Sequence, residues 1–566
     1  MSAATNPRSR TVGQVVIDTL RAYGVNRAYC VPGESYLGIL EAVRELGDAF
    51  DLVVCRHEGG ASYMAEASGR MTGLPGVCMV TRGPGSCNAT IGLHTALHEG
   101  TPLILLVGDV TTGTKGRVAF QDLDFRSTFG GVAKAVLQID RADDAAGVMR
   151  QAFQVAMAGK PGPVVVSVTE DVQFETVQAT LPLVQWNEPM APGAGAVAQL
   201  SERLSQARKP LFVVGGTKWS ASARADLQAF AERFNVPVAS TFRRQDLIDN
   251  ACPSYVGTIG GASPPPLEAY LKDCDLLVLM GGEFGEIETA RYSRLTEVTA
   301  ERFFVHAAPI VEKFGLVLQP NLAITTDMGP LCQALVAMAS VANAPWVKKT
   351  QELRLAYEAF CEPVKFEGRI NPGVAVEMIS EFLPADAVIT LGAGNYTHFA
   401  LRHHQYRTAN SLLAPICAPM GYSIPAAIAV ALEAPDRHVV AYAGDGCFLM
   451  NAQELVTAVH RKLNLTVMLL NNGLYGSIRM HQELRYPGKP IATHLHNPDF
   501  QAYAAAFGLP SRQVREPKEV MAAWKELRKT HAGPILIEML TDPAIISPQR
   551  IIEDPKKAAA VAEVQS

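Results

Sequence analysis

Short, almost wholly apolar runs recur along this chain, separated by segments of helix length, and that alternation constrains the fold more than any other feature. In the first 185 residues the runs are Leu52–Cys55, Val77–Thr81, Leu103–Val107 and Val164–Val168. Amphipathic stretches such as GGASYMAEASGRM and NATIGLHTALHEG lie between them. A strand with one face in water alternates polar and apolar residues, whereas one buried on both faces does not. Runs this apolar therefore predict a parallel sheet with helices on both sides.

The pattern then repeats. After EPMAPGAGA a second region opens with AVAQLSERLSQA and continues through LFVVGG, VPVAS and LLVLMGG. A charged stretch, WVKKTQELRLAYEAF, precedes a third region carrying AVITLGAG, HVVAYAGDG, LTVMLLNNG and PILIEML. At 566 residues the chain exceeds a single core. The expectation is three doubly wound α/β domains, at residues 11–185, 195–345 and 365–550, with a loosely held tail PKKAAAVAEVQS.

Composition narrows the partners. The hydrophobic share of 48% and charged share of 19% describe a folded protein, and a net charge of −5 gives nucleic acid or an anionic membrane no electrostatic hold. Ten cysteines without a CxxC pair read as reduced thiols in small buried positions. The first residues, MSAATNPRSR, lack the apolar run of a signal peptide, and no run reaches membrane-spanning length. A cytoplasmic protein with no membrane partner is expected.

The chemistry concentrates in the third region. Strand HVVAYA ends at Gly444-Asp445-Gly446, and strand LTVMLL ends at Asn471-Asn472, with 24 residues (447–470) between the two motifs. Each motif alone is a common turn. A right-handed crossover, however, returns successive parallel strands in one direction, so both motifs should emerge at the carboxyl edge where ligands of open α/β sheets bind. Asp445 offers a hard carboxylate, Asn472 an amide oxygen, and Leu474 a backbone carbonyl. That is a set suited to Mg²⁺, which takes few protein oxygens plus phosphate oxygens. Gly444 and Gly446 allow close approach of a phosphate, and the following helix N-terminus favours an anion.

With this GDG…NN arrangement the chain resembles the thiamine diphosphate enzymes, and among them the acetolactate synthase-like proteins. The resemblance spans about residues 11–550 in the order PYR, central, PP, and includes the loop Gly392–Asn395 and NPDFQAYAAAFG from Asn497. It implies that Gly394, Asn395, Gly444, Asp445, Gly446, Cys447 and Asn472 hold the cofactor. It also implies that the Ala418 carbonyl meets the pyrimidine amino group, with Met420 under the ring junction, where a plain core methionine is the alternative.

Strand DLVVC ends at Arg56-His57-Glu58, followed by a helix. Alone, Glu58 is also a carboxylate favoured by a helix N-terminus. The resemblance makes it the residue that hydrogen-bonds the cofactor's aminopyrimidine, whose imino tautomer then takes the proton from the thiazolium carbon. Burial among Ala, Gly and Met would raise such a carboxyl's pKa. Gly83 and Pro84, in a Gly-Pro-Gly read as a tight turn, would close on the cofactor. Phe120 and Gln121 would meet substrate or intermediate, and Lys134 would stand at the entrance or be a solvated surface amine. The PYR domain of one subunit would face the PP domain of another, giving a homodimer or homotetramer.

Some positions depart from the acetolactate synthase pattern. His481 stands where a substrate-lining tryptophan is usual, and no arginine aligns in GGEFGEIETARY to grip a carboxylate. His306 and Ala307 replace an acidic pattern expected beside flavin, so FAD, although possible in such a fold, is not expected. The reading is a carboligase or decarboxylase of a 2-oxo acid such as pyruvate. A flavin-linked pyruvate oxidase, a lyase of 2-hydroxyacyl or oxalyl thioesters, and a non-catalytic scaffold are the alternatives.

Overall fold

In the computed structural model, which describes residues 8–180, 188–261, 263–295, 302–364 and 370–551, each apolar region forms a six-stranded sheet. The tail PKKAAAVAEVQS lies outside the described residues. In the first sheet the strands run in the order Asp51–Val54, Arg27–Cys30, Gly76–Val80, Leu103–Asp109, Pro163–Thr169, Ala135–Ile139, all parallel. The two seven-residue strands, LILLVGD and PVVVSVT, are buried throughout, as their largely apolar sequences require. A short antiparallel pair, Arg8–Thr11 with Thr176–Ala179, ties the beginning of this region to its end.

The central sheet runs Tyr255–Thr258, Val238–Ser240, Pro210–Val214, Leu276–Met280, Phe303–Ala308, Leu322–Thr325. The third runs Leu412–Leu413, Val388–Leu391, Val439–Gly444, Leu465–Asn471, Ile535–Leu540, Ser511–Val514. Both are parallel throughout. The expected α/β class thus holds for all three regions. The strands that the apolar pattern did not single out are mostly edge strands, among them Ala135–Ile139, Leu322–Thr325 and Ser511–Val514. An edge strand has one neighbour and keeps polar residues, so it lacks the continuous apolar signal.

By contact density the chain forms two compact units. Of the described residues, one comprises those up to Glu188 with Ile424–Pro435 and Asn451–Leu463, and the other those within Pro189–Ser423, Asp436–Met450 and from Asn464 onward. The segment Asn451–Leu463, which follows the GDG motif, therefore packs with the N-terminal unit.

Two local expectations are corrected. Gly83-Pro84-Gly85 opens a short helix, Gly83–Asn88, because proline in the first turn has no needed N–H to lose and its fixed φ suits the helix. Cys87 is exposed, and Cys361 and Cys417 are partly so, while the other seven cysteines are buried. No helix among the described residues is long and apolar enough to cross a membrane.

Candidate functional site

The strand register sets one group of expected residues. Val439–Gly444 pairs with Leu465–Asn471 so that Gly444 lies opposite Leu470, and both motifs leave the sheet at one edge. A cavity of about 210 Å³ opens there. Asp445, Asn472 and Leu474, the expected metal ligands, are in its wall with Gly444, Gly446 and Cys447. Gly394, Asn395 and Met420 line it from neighbouring loops. Met420 is half-buried at the cavity wall, not a core methionine. Ala418 is outside the lining, in a left-handed conformation (φ 47°) braced by its N–H on the Pro415 carbonyl, 2.9 Å.

Three donors of the chain hold the Asp445 carboxylate. Asp445 Oδ1 accepts from the Gly446 N–H at 3.0 Å, and Oδ2 accepts from the Gly473 N–H and Asn497 Nδ2, both at 2.8 Å. Burial pushes the Asp445 pKa up, and these donors oppose the shift. The paired asparagines divide their work. Asn472 faces the cavity, its Oδ1 accepting from the Leu474 N–H in a local turn, 3.0 Å. Asn471 instead donates to buried Glu538 at 2.7 Å and accepts from Asn497 at 3.1 Å. Gln501 and Gln513 complete the Glu538 carboxylate, each at 3.0 Å.

Beside this network Tyr396 packs below the glycines. Its hydroxyl accepts from the Gly392 N–H at 3.1 Å and donates to Cys447 Sγ at 3.4 Å. Asn395 Oδ1 accepts from Ser477 Oγ at 2.8 Å. A β-carbon on Gly446 would stand 2.5 Å from the Tyr475 ring, so only glycine fits there. His481 is exposed on the helix Gly476–Arg485, outside the cavity lining; Ser477 and Ile478 of that helix are in it.

A separate group of expected residues lies in the N-terminal unit. Arg27–Cys30 lies between Asp51–Val54 and Gly76–Val80, which makes that edge the switch point of the sheet. Glu58 begins the helix Glu58–Thr72, capped by His57 Nδ1, which accepts from the Gly59 N–H at 3.0 Å. Glu58 Oε2 accepts from Asn88 Nδ2 at 2.9 Å. A β-carbon on Gly85 would lie 3.2 Å from Glu58 Oε1, and one on Gly83 would lie 2.7 Å from the Gln121 carbonyl. Glu58, the Gly83–Gly85 turn of helix and Gln121 (φ 62°) are therefore gathered in one place. Glu58 is half-buried in the single chain, not enclosed as expected, because Arg56 and His57 beside it are exposed.

Other expected contacts are redistributed. Phe120 is 73% exposed, with the Arg82 guanidinium 5.8 Å from its ring and Arg82 Nε on its carbonyl at 3.2 Å. Lys134 Nζ donates to the carbonyls of Ala158 and Lys160, at 2.6 and 2.8 Å, just past the helix Ala145–Met157. Lys134 is half-buried, its ammonium held by these two carbonyls. In the central region His306 is buried, its Nε2 2.9 Å from the Gly282 carbonyl, and burial lowers its pKa. The sequence reading missed Asn88, Tyr396, Asn497 and Glu538; only Asn497 carried a signal, as the first residue of NPDF.

Known proteins match this chain over most of its length. Three family models match in order: the N-terminal TPP binding domain of thiamine pyrophosphate enzymes over residues 10–128, the central domain over 197–335, and the C-terminal TPP binding domain over 392–539. The chain is 29% identical to the acetolactate synthase isozyme 2 large subunit of Escherichia coli, over 94% of this chain and 95% of that one. It is 28% identical to the chloroplastic acetolactate synthase 1 of Nicotiana tabacum, over 94% and 82%, and 26% identical to the large subunit from Corynebacterium glutamicum, over 94% and 87%. With its three matched domains in order and these relatives along most of its length, the chain belongs to the thiamine pyrophosphate enzymes, among the acetolactate synthase-like proteins that join carbon to carbon.

Proposed function

We propose that this enzyme is a Mg²⁺-dependent carboligase that decarboxylates a 2-oxo acid such as pyruvate and joins the resulting acyl unit to a second carbonyl compound. The observation that carries the reading is the convergence of Asp445, Asn472 and Leu474 on one cavity at two adjacent strand ends. One carboxylate with two neutral oxygens leaves positions for phosphate oxygens and water, as Mg²⁺ prefers. Glycines 444 and 446, with Asn395, fit a diphosphate whose oxygens would share that cation.

When bound, thiamine diphosphate supplies a carbon nucleophile and a sink for the charge left as CO₂ departs. The chain's own residues do the rest. Glu58 would exchange a proton with the aminopyrimidine nitrogen. Met420 would support the bent cofactor, and the Ala418 carbonyl would accept from the pyrimidine amino group. Gln121, beside Gly83 and Pro84, would hydrogen-bond the reacting oxygen, with Phe120 next to it. The family resemblance further implies a site completed by Glu58 of one chain and Asp445 of another, in a dimer or tetramer.

The test is a panel of 2-oxo acids assayed for CO₂ release and for acetolactate- or acetoin-type products, with Mg²⁺ and thiamine diphosphate present. Release from at least one acid with a coupled product is expected. Cleavage of 2-hydroxyacyl or oxalyl thioesters without turnover of any 2-oxo acid would replace this reading with the lyase.

A further inference from the structure

We propose that Glu454 is a positioning residue for Glu58: its carboxylate holds the backbone turn that delivers Glu58 to the start of its helix. The inference rests on Glu58 as the proton-exchanging group. Glu454 lies in the segment Asn451–Leu463, within the same compact unit as Glu58, and is fully buried. Its Oε1 accepts from the N–H groups of Arg56 and His57, each at 3.0 Å, and Oε2 accepts again from Arg56 N–H at 3.2 Å. One carboxylate thus binds the two amides that directly precede Glu58.

The surroundings are shaped for this contact. A β-carbon on Gly60 would stand 2.6 Å from Glu454 Oε1, so the helix leaves room there for the carboxylate. The turn is fixed upstream by Cys55 N–H on the Cys30 carbonyl at 2.8 Å and downstream by the His57 cap. Arg56 and His57 have no sheet partner for these amides once the strand ends at Val54. Without an acceptor they would be left to solvent, and the turn would gain freedom next to the residue whose placement the chemistry needs. Burial raises Glu454 to about 7, against the pull of the two amides. The group is costly to bury, which a structural filler would not require.

Glu454→Ala, Glu454→Gln and Gly60→Ala test the assignment. In the cofactor-free protein, amide hydrogen exchange at Arg56 and His57 should quicken by about ten-fold or more in Glu454→Ala, the equivalent of a lost charge-assisted hydrogen bond. With thiamine diphosphate saturating, deuterium exchange at its thiazolium carbon should slow by about ten-fold. Glu454→Gln keeps an oxygen acceptor and should stay within about three-fold of the parent, since one oxygen serves both amides. Gly60→Ala displaces the carboxylate without removing it and should slow exchange as Glu454→Ala does, which decides the matter if the latter fails to fold. Unchanged exchange at the cofactor in both Ala variants overturns the proposal. Glu58→Gln is the control: if it slows exchange while the Glu454 and Gly60 variants do not, only the positioning role falls, whereas parent-like exchange in Glu58→Gln removes the reading beneath it.

Discussion

Asn497 Nδ2 donates to Asp445 Oδ2 across 2.8 Å, so an amide from the NPDF segment orients the carboxylate that ends the strand Val439–Gly444. Such supporting hydrogen bonds are commonly worth ten- to a hundred-fold in metal affinity. Asn497→Ala should weaken Mg²⁺ binding in the presence of thiamine diphosphate by about that factor, read by titration calorimetry. Parent-like Mg²⁺ affinity would show that Gly473 and Gly446 suffice to hold Asp445.

Removing the carboxylate itself should be more severe. Asp445→Ala leaves Asn472 as the single side-chain ligand, and Mg²⁺-dependent retention of thiamine diphosphate should be lost. Gel filtration of the loaded variant with and without a chelator measures this. An unchanged cofactor affinity would count against the metal assignment.

Glu58→Gln keeps the volume and a hydrogen bond but cannot exchange a proton. The variant should fold and bind cofactor, with exchange at the thiazolium carbon slower by on the order of 10²–10⁴ and turnover reduced in step. Acid-quench NMR of bound cofactor gives the rate.

Two buried histidines, His403 and His404, and the half-buried His398 predict acid sensitivity. Burial holds His398 and His403 down to about 4 and His404 to about 3, below the usual 6.5. Between pH 6.5 and about 4 the unfolded chain takes up protons that the fold refuses, so stability should fall as pH drops through that window and be insensitive to these groups above it. At pH 5 His404 alone should cost about 2 kcal/mol. His404→Phe, which also removes a buried Nδ1 lacking a partner among the described residues, should shrink the drop in melting temperature between pH 7 and pH 5. An undiminished drop assigns the acid response to other groups.

His306, hydrogen-bonded to Gly282, stands where an acidic pattern would be expected beside flavin. Purified protein should carry no stoichiometric flavin. An absorption band equal to one flavin per chain would restore the oxidase reading.

The sequence by itself determined the three parallel sheets and the edge at which Asp445 and Asn472 emerge. Apolar runs can be buried only between layers, and a right-handed crossover returns both strand ends to one side. It also marked Glu58, through its place at the end of DLVVC. Tertiary structure decided which groups serve these residues. Asn471 and Asn472 are identical in type and adjacent, yet one meets Glu538 and the other the cavity, because successive residues at a strand end point to opposite sides. Lys134 was legible as a cation but not as the partner of carbonyls 24 and 26 residues away. Glu454 reads locally as an ordinary helix-face glutamate; only packing brings it to amides 397 and 398 residues earlier. Periodicity reports which face of an element is buried, whereas a hydrogen-bond partner distant in sequence is chosen by how the elements pack.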